Sequence, residues 1–178
     1  FLKFIIDEVI INEKYKITTH TRKNDTELNN IQHDIVIGSL LGDGHIDKRD
    51  NYPIFIVSHA ENQKDYLYWK YNEFIKLCNK EPSKIDSCIK IFGDKEYLCQ
   101  NAYRMITRSL NCFIDYRNMS KSDVINNLNE LSFSVFILDD GSRYDKIWSL
   151  CVASLSNNEK ELLINKMNEL FNINGYLN

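Results

Sequence analysis

Two apolar runs of the same length stand out along the chain, VIGSLLGDG at residues 36–44 and FSVFILDDG at residues 133–141. Each has small residues spaced along it, is too long for a comfortable strand, and ends in an acid followed by glycine. That pattern predicts two buried helices, each stopped by a glycine able to take the left-handed conformation at a helix end. Gly38 and Gly42 lie four apart and share one helix face, leaving room for a second helix to approach backbone to backbone. The second run is the natural partner. Packed side by side, the two helices would finish with Asp43 and Asp140 next to each other.

Elsewhere the hydrophobic period alternates between strand and helix. Residues 1–30 form an N-terminal extension that opens with a short hairpin candidate and runs into a polar stretch; the absence of an initial methionine suggests a fragment or a processed chain. Residues 45–58 read as strand, turn, strand, with Asp50, Asn51 and Pro53 in the turn. A helical face through Leu67, Tyr71, Phe74, Ile75 and Cys78 predicts a helix over 62–78 on the back of the sheet. Strands are expected over 85–92 and 97–107, then short helices over 109–116 and 122–131, the latter capped by Ser122 or Asp123. After the second run, residues 142–146 and 147–154 repeat the ribbon, and Ser156 with Glu159 makes a capping box that opens a final helix.

The chain thus divides into the extension, a first unit over 31–132 and a second over 133–178. The second is much the shorter and lacks the hairpin and helix that a matching copy would need. The apolar face of the last helix, Leu163, Met167, Leu170 and Phe171, is therefore expected to be partly uncovered, and the chain to continue past Asn178.

An aspartate in the last turn of a helix sits against unpaired carbonyls and the negative end of the macrodipole, and two together repel. A divalent cation held by carboxylate and carbonyl oxygens offsets both effects, and hard oxygen ligands favour magnesium. The candidate ligands are Asp43 and Asp140, with the residues just before them, Gly42 and Asp139. Asp-Gly is also a common turn dipeptide, but its recurrence at the end of two like runs favours a paired acidic site.

These residues carry a resemblance. Residues 37–44, IGSLLGDG, and 136–142, FILDDGS, resemble the two signature motifs of the LAGLIDADG homing endonucleases, and the similarity extends from about residue 28 to residue 172. The resemblance implies an α+β fold: two pseudo-symmetric units meeting along paired motif helices, with antiparallel sheets forming a DNA-binding saddle, in a single-chain monomer. It implies site-specific, magnesium-dependent double-strand cleavage of DNA. Family members carry a catalytic lysine ahead of the second motif, where this chain has Arg117. An arginine stabilises charge but does not shed a proton near neutral pH, so Lys121 stands as the substitute. Two other readings keep the same fold: an intron-splicing maturase or decayed endonuclease remnant, with intron RNA as a partner, and the endonuclease domain of an intein.

Composition sharpens this picture at two points. The 178 residues carry 22 Lys and Arg against 25 Asp and Glu, a net charge of -3, so a DNA-binding face requires segregated charge. The candidates are Lys48, Arg49 and Asn51 at the tip of the first ribbon, Gln100 and Arg104 on one face of a strand, Arg108 beyond it, and Arg143 and Lys146 on the second ribbon. Cys78, Cys88, Cys99, Cys112 and Cys151 are scattered without metal or redox spacing and read as reduced core thiols, in keeping with a reducing compartment. No apolar run reaches the length of a membrane span.

Overall fold

A computed structural model describes residues 26–47, 52–92, 95–145 and 147–173. The hairpin expected at the N-terminus lies outside them, as do Lys48, Arg49, Asn51 and Lys146.

Both apolar runs are helices, α1 (Asn30–Leu41) and α5 (Glu130–Asp140). They begin alike: Asn29 and Asn129 are N-caps in capping boxes closed by Gln32 and Ser132. The side-chain amide of Asn129 also donates to the buried carboxylate of Asp34, 2.8 Å away, tying the two starts together. A Cβ on Gly38 would strike the Ser132 carbonyl and Val135, and one on Gly42 would strike Asp139. The helices therefore run side by side in one direction, in contact along the glycine face. The expected left-handed stop is absent: neither Gly44 nor Gly141, which follow the acids, takes a left-handed φ, and Gly42, which caps α1, has φ -107°. Glycine is required here for space rather than for backbone conformation.

The strands β1 (Gly44–Asp47), β2 (Ile54–Ala60), β3 (Ser83–Ile85) and β6 (Ala102–Ile106) form one antiparallel sheet in the order β1-β2-β6-β3. Strict alternation along β2 puts Phe55, Val57 and His59 in the interior. Against that face lies α2 (Lys64–Phe74), entered through a short 3-10 turn at Glu61–Gln63. Phe55, Val57, Leu67, Phe74 and Met105 join Ile35 and Val36 of α1 in one core cluster.

The two strands expected over 85–92 and 97–107 are each broken. β4 (Cys88–Phe92) and β5 (Lys95–Cys99) form a separate ribbon, because Asn101 takes up local polar groups: its carbonyl accepts from Glu61 N, its side-chain oxygen from Ser87 N, and its amide donates to the Glu61 carboxylate.

Next come α3 (Ile114–Asn118) and α4 (Lys121–Asn126), the latter capped by Ser120 with Asp123 rather than by Ser122 or Asp123. The ribbon β7 (Gly141–Tyr144) and β8 (Ile147–Leu150) follows α5 directly. The closing helix α6 (Asn157–Phe171) has the expected cap of Ser156 with Glu159. Its apolar face is covered at Leu163 and stays partly exposed at Met167, Leu170 and Phe171, as expected. Leu163 is buried in a second cluster with Ile37, Leu41, Val124, Ile125 and Phe136, and Met167, Leu170 and Phe171 pack on its edge, Phe171 lying 5.1 Å from the Phe133 ring. All five cysteines are free. Cys88 and Cys151 are exposed and the others half-buried, so the expectation of core thiols fails for those two.

Candidate active site

The site lies where α1 and α5 end together. Asp43 follows α1 directly before β1, its side chain about one-third exposed (36%). Its backbone N–H donates to Asp139 Oδ2 across the helix pair at 3.3 Å. Ring nitrogen Nδ1 of His59, delivered from the end of β2, lies 3.0 Å from Asp43 Oδ2. The ring is buried, stands 4.9 Å from Tyr66 centroid to centroid, and leaves Nε2 without a hydrogen-bond partner, 3.6 Å from Asp139 Oδ1.

Asp139 is held far more firmly. Its fully buried carboxylate accepts from Lys70 Nζ at 2.7 and 3.0 Å and from the Tyr66 hydroxyl at 2.9 Å. Lys70 donates also to Ser39 Oγ at 2.8 Å and lies 4.6 Å from the Tyr66 ring centre. The ammonium is completely enclosed. Burial pushes its pKa down while Asp139 pulls it back up, and the dense set of acceptors fits a charged group. Burial first, then Asp139, drives the Tyr66 hydroxyl upward, so it is a hydrogen-bond donor at any ordinary pH.

Asp140 ends α5 on the other side of the pair. Partial burial, then the charges of Asp43 and Asp139, raise its carboxyl pKa, while Lys121 opposes them. A carboxyl whose ionisation is disfavoured by neighbouring carboxylates at a helix-pair end is suited to a cation. A second set of donors overlaps this pair only at Asp43: ligand atoms of Asp43, His59 and Asp139, without Asp140, lie within 4.8 Å of one another. Lys121 Nζ donates to the Leu40 carbonyl at 2.6 Å, and its pKa is lowered by burial against the pull of Glu159 and Asp140. Arg117 is half-buried in the last turn of α3.

Residues 33–178 match the model of a family described as the LAGLIDADG DNA endonuclease family. The chain belongs to the LAGLIDADG DNA endonuclease family. It is 25% identical over 171 residues to "Probable intron-encoded endonuclease 1" of Wickerhamomyces canadensis, covering 89% of this chain and 74% of that one. In fold it is similar to the homing endonuclease I-WcaI, solved bound to its DNA recognition sequence, with a TM-score of 0.66 at 24% identity over 84% of this chain and 71% of the other. LAGLIDADG endonucleases are metal-dependent nucleases that hydrolyse DNA phosphodiester bonds, and Asp43, His59 and Asp139 have the donor types and spacing that suit a metal ion.

The residues expected on a DNA-binding face are dispersed. Arg104 is exposed on the outer face of the sheet, its Nε bonded to Ser58 Oγ at 3.0 Å. Gln100 sits in the break between β5 and β6, not on a strand face with Arg104, and lines a cavity of about 550 Å³ with Glu61, Asn62 and Ser87. The Arg108 guanidinium donates to the Lys76 carbonyl at 2.8 Å and so closes the end of the helix after β2. Arg143 is exposed on β7, with Nε on the Asp145 carbonyl and its guanidinium 5.8 Å from the Trp148 ring centre.

Three site residues escape a reading of motifs alone: His59, Tyr66 and Lys70. Signals for two of them were present. His59 continues the buried alternation of Phe55 and Val57, and Lys70 lies three residues after Leu67 and four before Phe74, on the buried face of its helix.

Proposed function

We propose that this chain is a site-specific homing endonuclease that makes a magnesium-dependent double-strand break, with Asp43 and Asp140 each serving one strand. The observation that carries the reading is the meeting of these two carboxylates at the end of a glycine-packed helix pair, where Asp140 feels the charge of Asp43. Asp43, Asp140 and oxygens of the turns beside them, Gly42 included, would hold the ions. Bound there, magnesium supplies a water of lowered pKa and stabilises the oxygen that leaves in an in-line displacement.

The chain's own residues do the rest. His59 orients Asp43, and Lys121 balances the charge at Asp140. Asp139 is taken up by Lys70 and Tyr66, which leaves it a weaker candidate for a ligand than the motif suggested; it instead steadies the Asp43 turn through that residue's N–H. Arg117 offers charge and no proton transfer. Arg104 and Arg143, exposed on the sheet and the second ribbon, are the described candidates for phosphate or base contacts, with Lys146 near Arg143 in sequence and Lys48, Arg49 and Asn51 between β1 and β2.

We read residues 31–132 as one full unit and 133–178 as the opening of a second, in a monomer with pseudo-two-fold symmetry. The acidic balance and Arg117 favour a second reading, a maturase or decayed remnant that binds intron RNA or DNA without cutting. Incubating the full chain with DNA that spans its own insertion site, with and without magnesium, separates the two. Linear product only in the presence of the metal supports the endonuclease; retained binding with no nick supports the remnant.

A further inference from the structure

The paired strands Gly44↔Val57 and Gly141↔Leu150 superpose the two units residue by residue. In this register β2 and β8 lead into α2 and α6 after the same interval, so Lys64 matches Asn157. His59 then matches Val152. One motif aspartate has a buried imidazole against its carboxylate; the equivalent position beside the other holds an aliphatic side chain that cannot donate a hydrogen bond. The other site has instead an ammonium, Lys121, for which Asp140 is a source of charge attraction.

We infer that His59 is a positioning residue for Asp43 alone, so that the two cation sites are unequal and the two DNA strands are cut by differently built centres. The inference rests on the endonuclease reading and adds to it the asymmetry. The ring of His59 is confined. It is buried, packed on Tyr66, and its only hydrogen-bonded nitrogen is the one on Asp43; Nε2 makes no hydrogen bond, its nearest carboxylate oxygen, Asp139 Oδ1, lying 3.6 Å away. A carboxylate fixed by one imidazole N–H keeps its second oxygen directed and available, and partners of this kind change metal affinity by about 10- to 100-fold when removed. Among the described residues no other side chain donates a hydrogen bond to the partly exposed Asp43 carboxylate, and its backbone N–H is spent on Asp139.

Two substitutions remove the donor while filling the ring's space, His59→Leu and His59→Met; His59→Gln keeps an N–H in reach. Mn2+ binding is measured by electron paramagnetic resonance in two backgrounds of the full chain on its target DNA. With Asp140→Asn, which retains the Asp43 site, loss of the donor is expected to weaken Mn2+ binding about tenfold, and His59→Gln to restore most of it. With Asp43→Asn, which retains the Asp140 site, the same changes are expected to shift binding less than about twofold. Strand-labelled DNA reads the same asymmetry in cleavage: the strand slowed by His59→Leu is the strand lost in Asp43→Asn. Equal weakening in both backgrounds, or none in either, overturns the inference. A wild-type chain that binds Mn2+ with the expected asymmetry yet cuts nothing overturns the endonuclease reading and leaves the role of His59 standing.

Discussion

Lys70 and Leu163 are the seventh residues of the two helices that follow the ribbons, and both are buried, yet one carries a charge and the other does not. The difference is matched by the motif residues: Asp139 precedes the second motif aspartate, where Gly42 precedes the first. The ion pair of Lys70 with Asp139 therefore spans the two units and has no counterpart at Leu163 and Gly42, and it joins α2 to both motif helices through Ser39 and Asp139.

Removing one partner of a buried pair leaves the other uncompensated. Lys70→Met is expected to destabilise the fold by about 3–5 kcal/mol. Replacing both, as Lys70→Leu with Asp139→Ala, imitates the apolar arrangement of the other half and should recover most of that loss. Urea unfolding of the single and double variants measures both; a double variant no more stable than Lys70→Met would show that the pair is held for its own stability.

Gly38 meets the backbone carbonyl of Ser132, which no side-chain rotation can move. Gly38→Ala should therefore force α1 and α5 apart and lower stability by about 1–3 kcal/mol, as overpacking does. Because the helix ends carry Asp43 and Asp140, cleavage should fall further than the melting temperature alone accounts for. Chemical denaturation alongside a nicking assay tests the pairing.

How far the sequence discloses this site depends on the range of the interactions. The motif helices are legible because an apolar run, its small residues and its closing Asp-Gly are all local. The ribbon after each motif is legible for the same reason, as is the Ser156 cap. Lys70 is not, although its helical position is buried, because a lysine on that face makes sense only when Asp139, 69 residues away, arrives to meet it. Likewise the breaks near Ser87 and Gln100 depend on Asn101 reaching Glu61, 40 residues away, and alternation alone continues the strands through them.

Thiol reactivity should divide the cysteines. Burial raises the pKa of Cys78 to about 12 and that of Cys112 to about 11, so both are thiols at neutral pH and slow toward alkylating reagents. Cys88 and Cys151 are exposed. Timed iodoacetamide labelling with peptide mass mapping should find those two modified first; early labelling of Cys78 would contradict its packing.

The caps of α4 and α6 carry a pH dependence of known sign. Hydrogen bonds from Ser120 and Ser156 hold Asp123 and Glu159 below their ordinary values of 3.8 and 4.5. A carboxyl lowered on folding contributes stability that is complete above its unfolded pKa and is lost as pH falls through the folded one. Glu159→Gln should therefore flatten the fall in stability below about pH 4.5 and change little near neutrality. Thermal unfolding across that range reads the difference between the variant and the parent chain.

Paired action of Asp43 and Asp140, each at its own strand, is the central expectation. The most direct test follows supercoiled plasmid carrying the target through nicked and linear forms, with magnesium, for Asp43→Asn and Asp140→Asn. Each variant is expected to lose cutting of one strand or of both while binding the target within about threefold of the parent chain, since a metal ligand and not a groove contact is removed. Unchanged double-strand cleavage by either variant would contradict the pairing and leave that aspartate a turn residue.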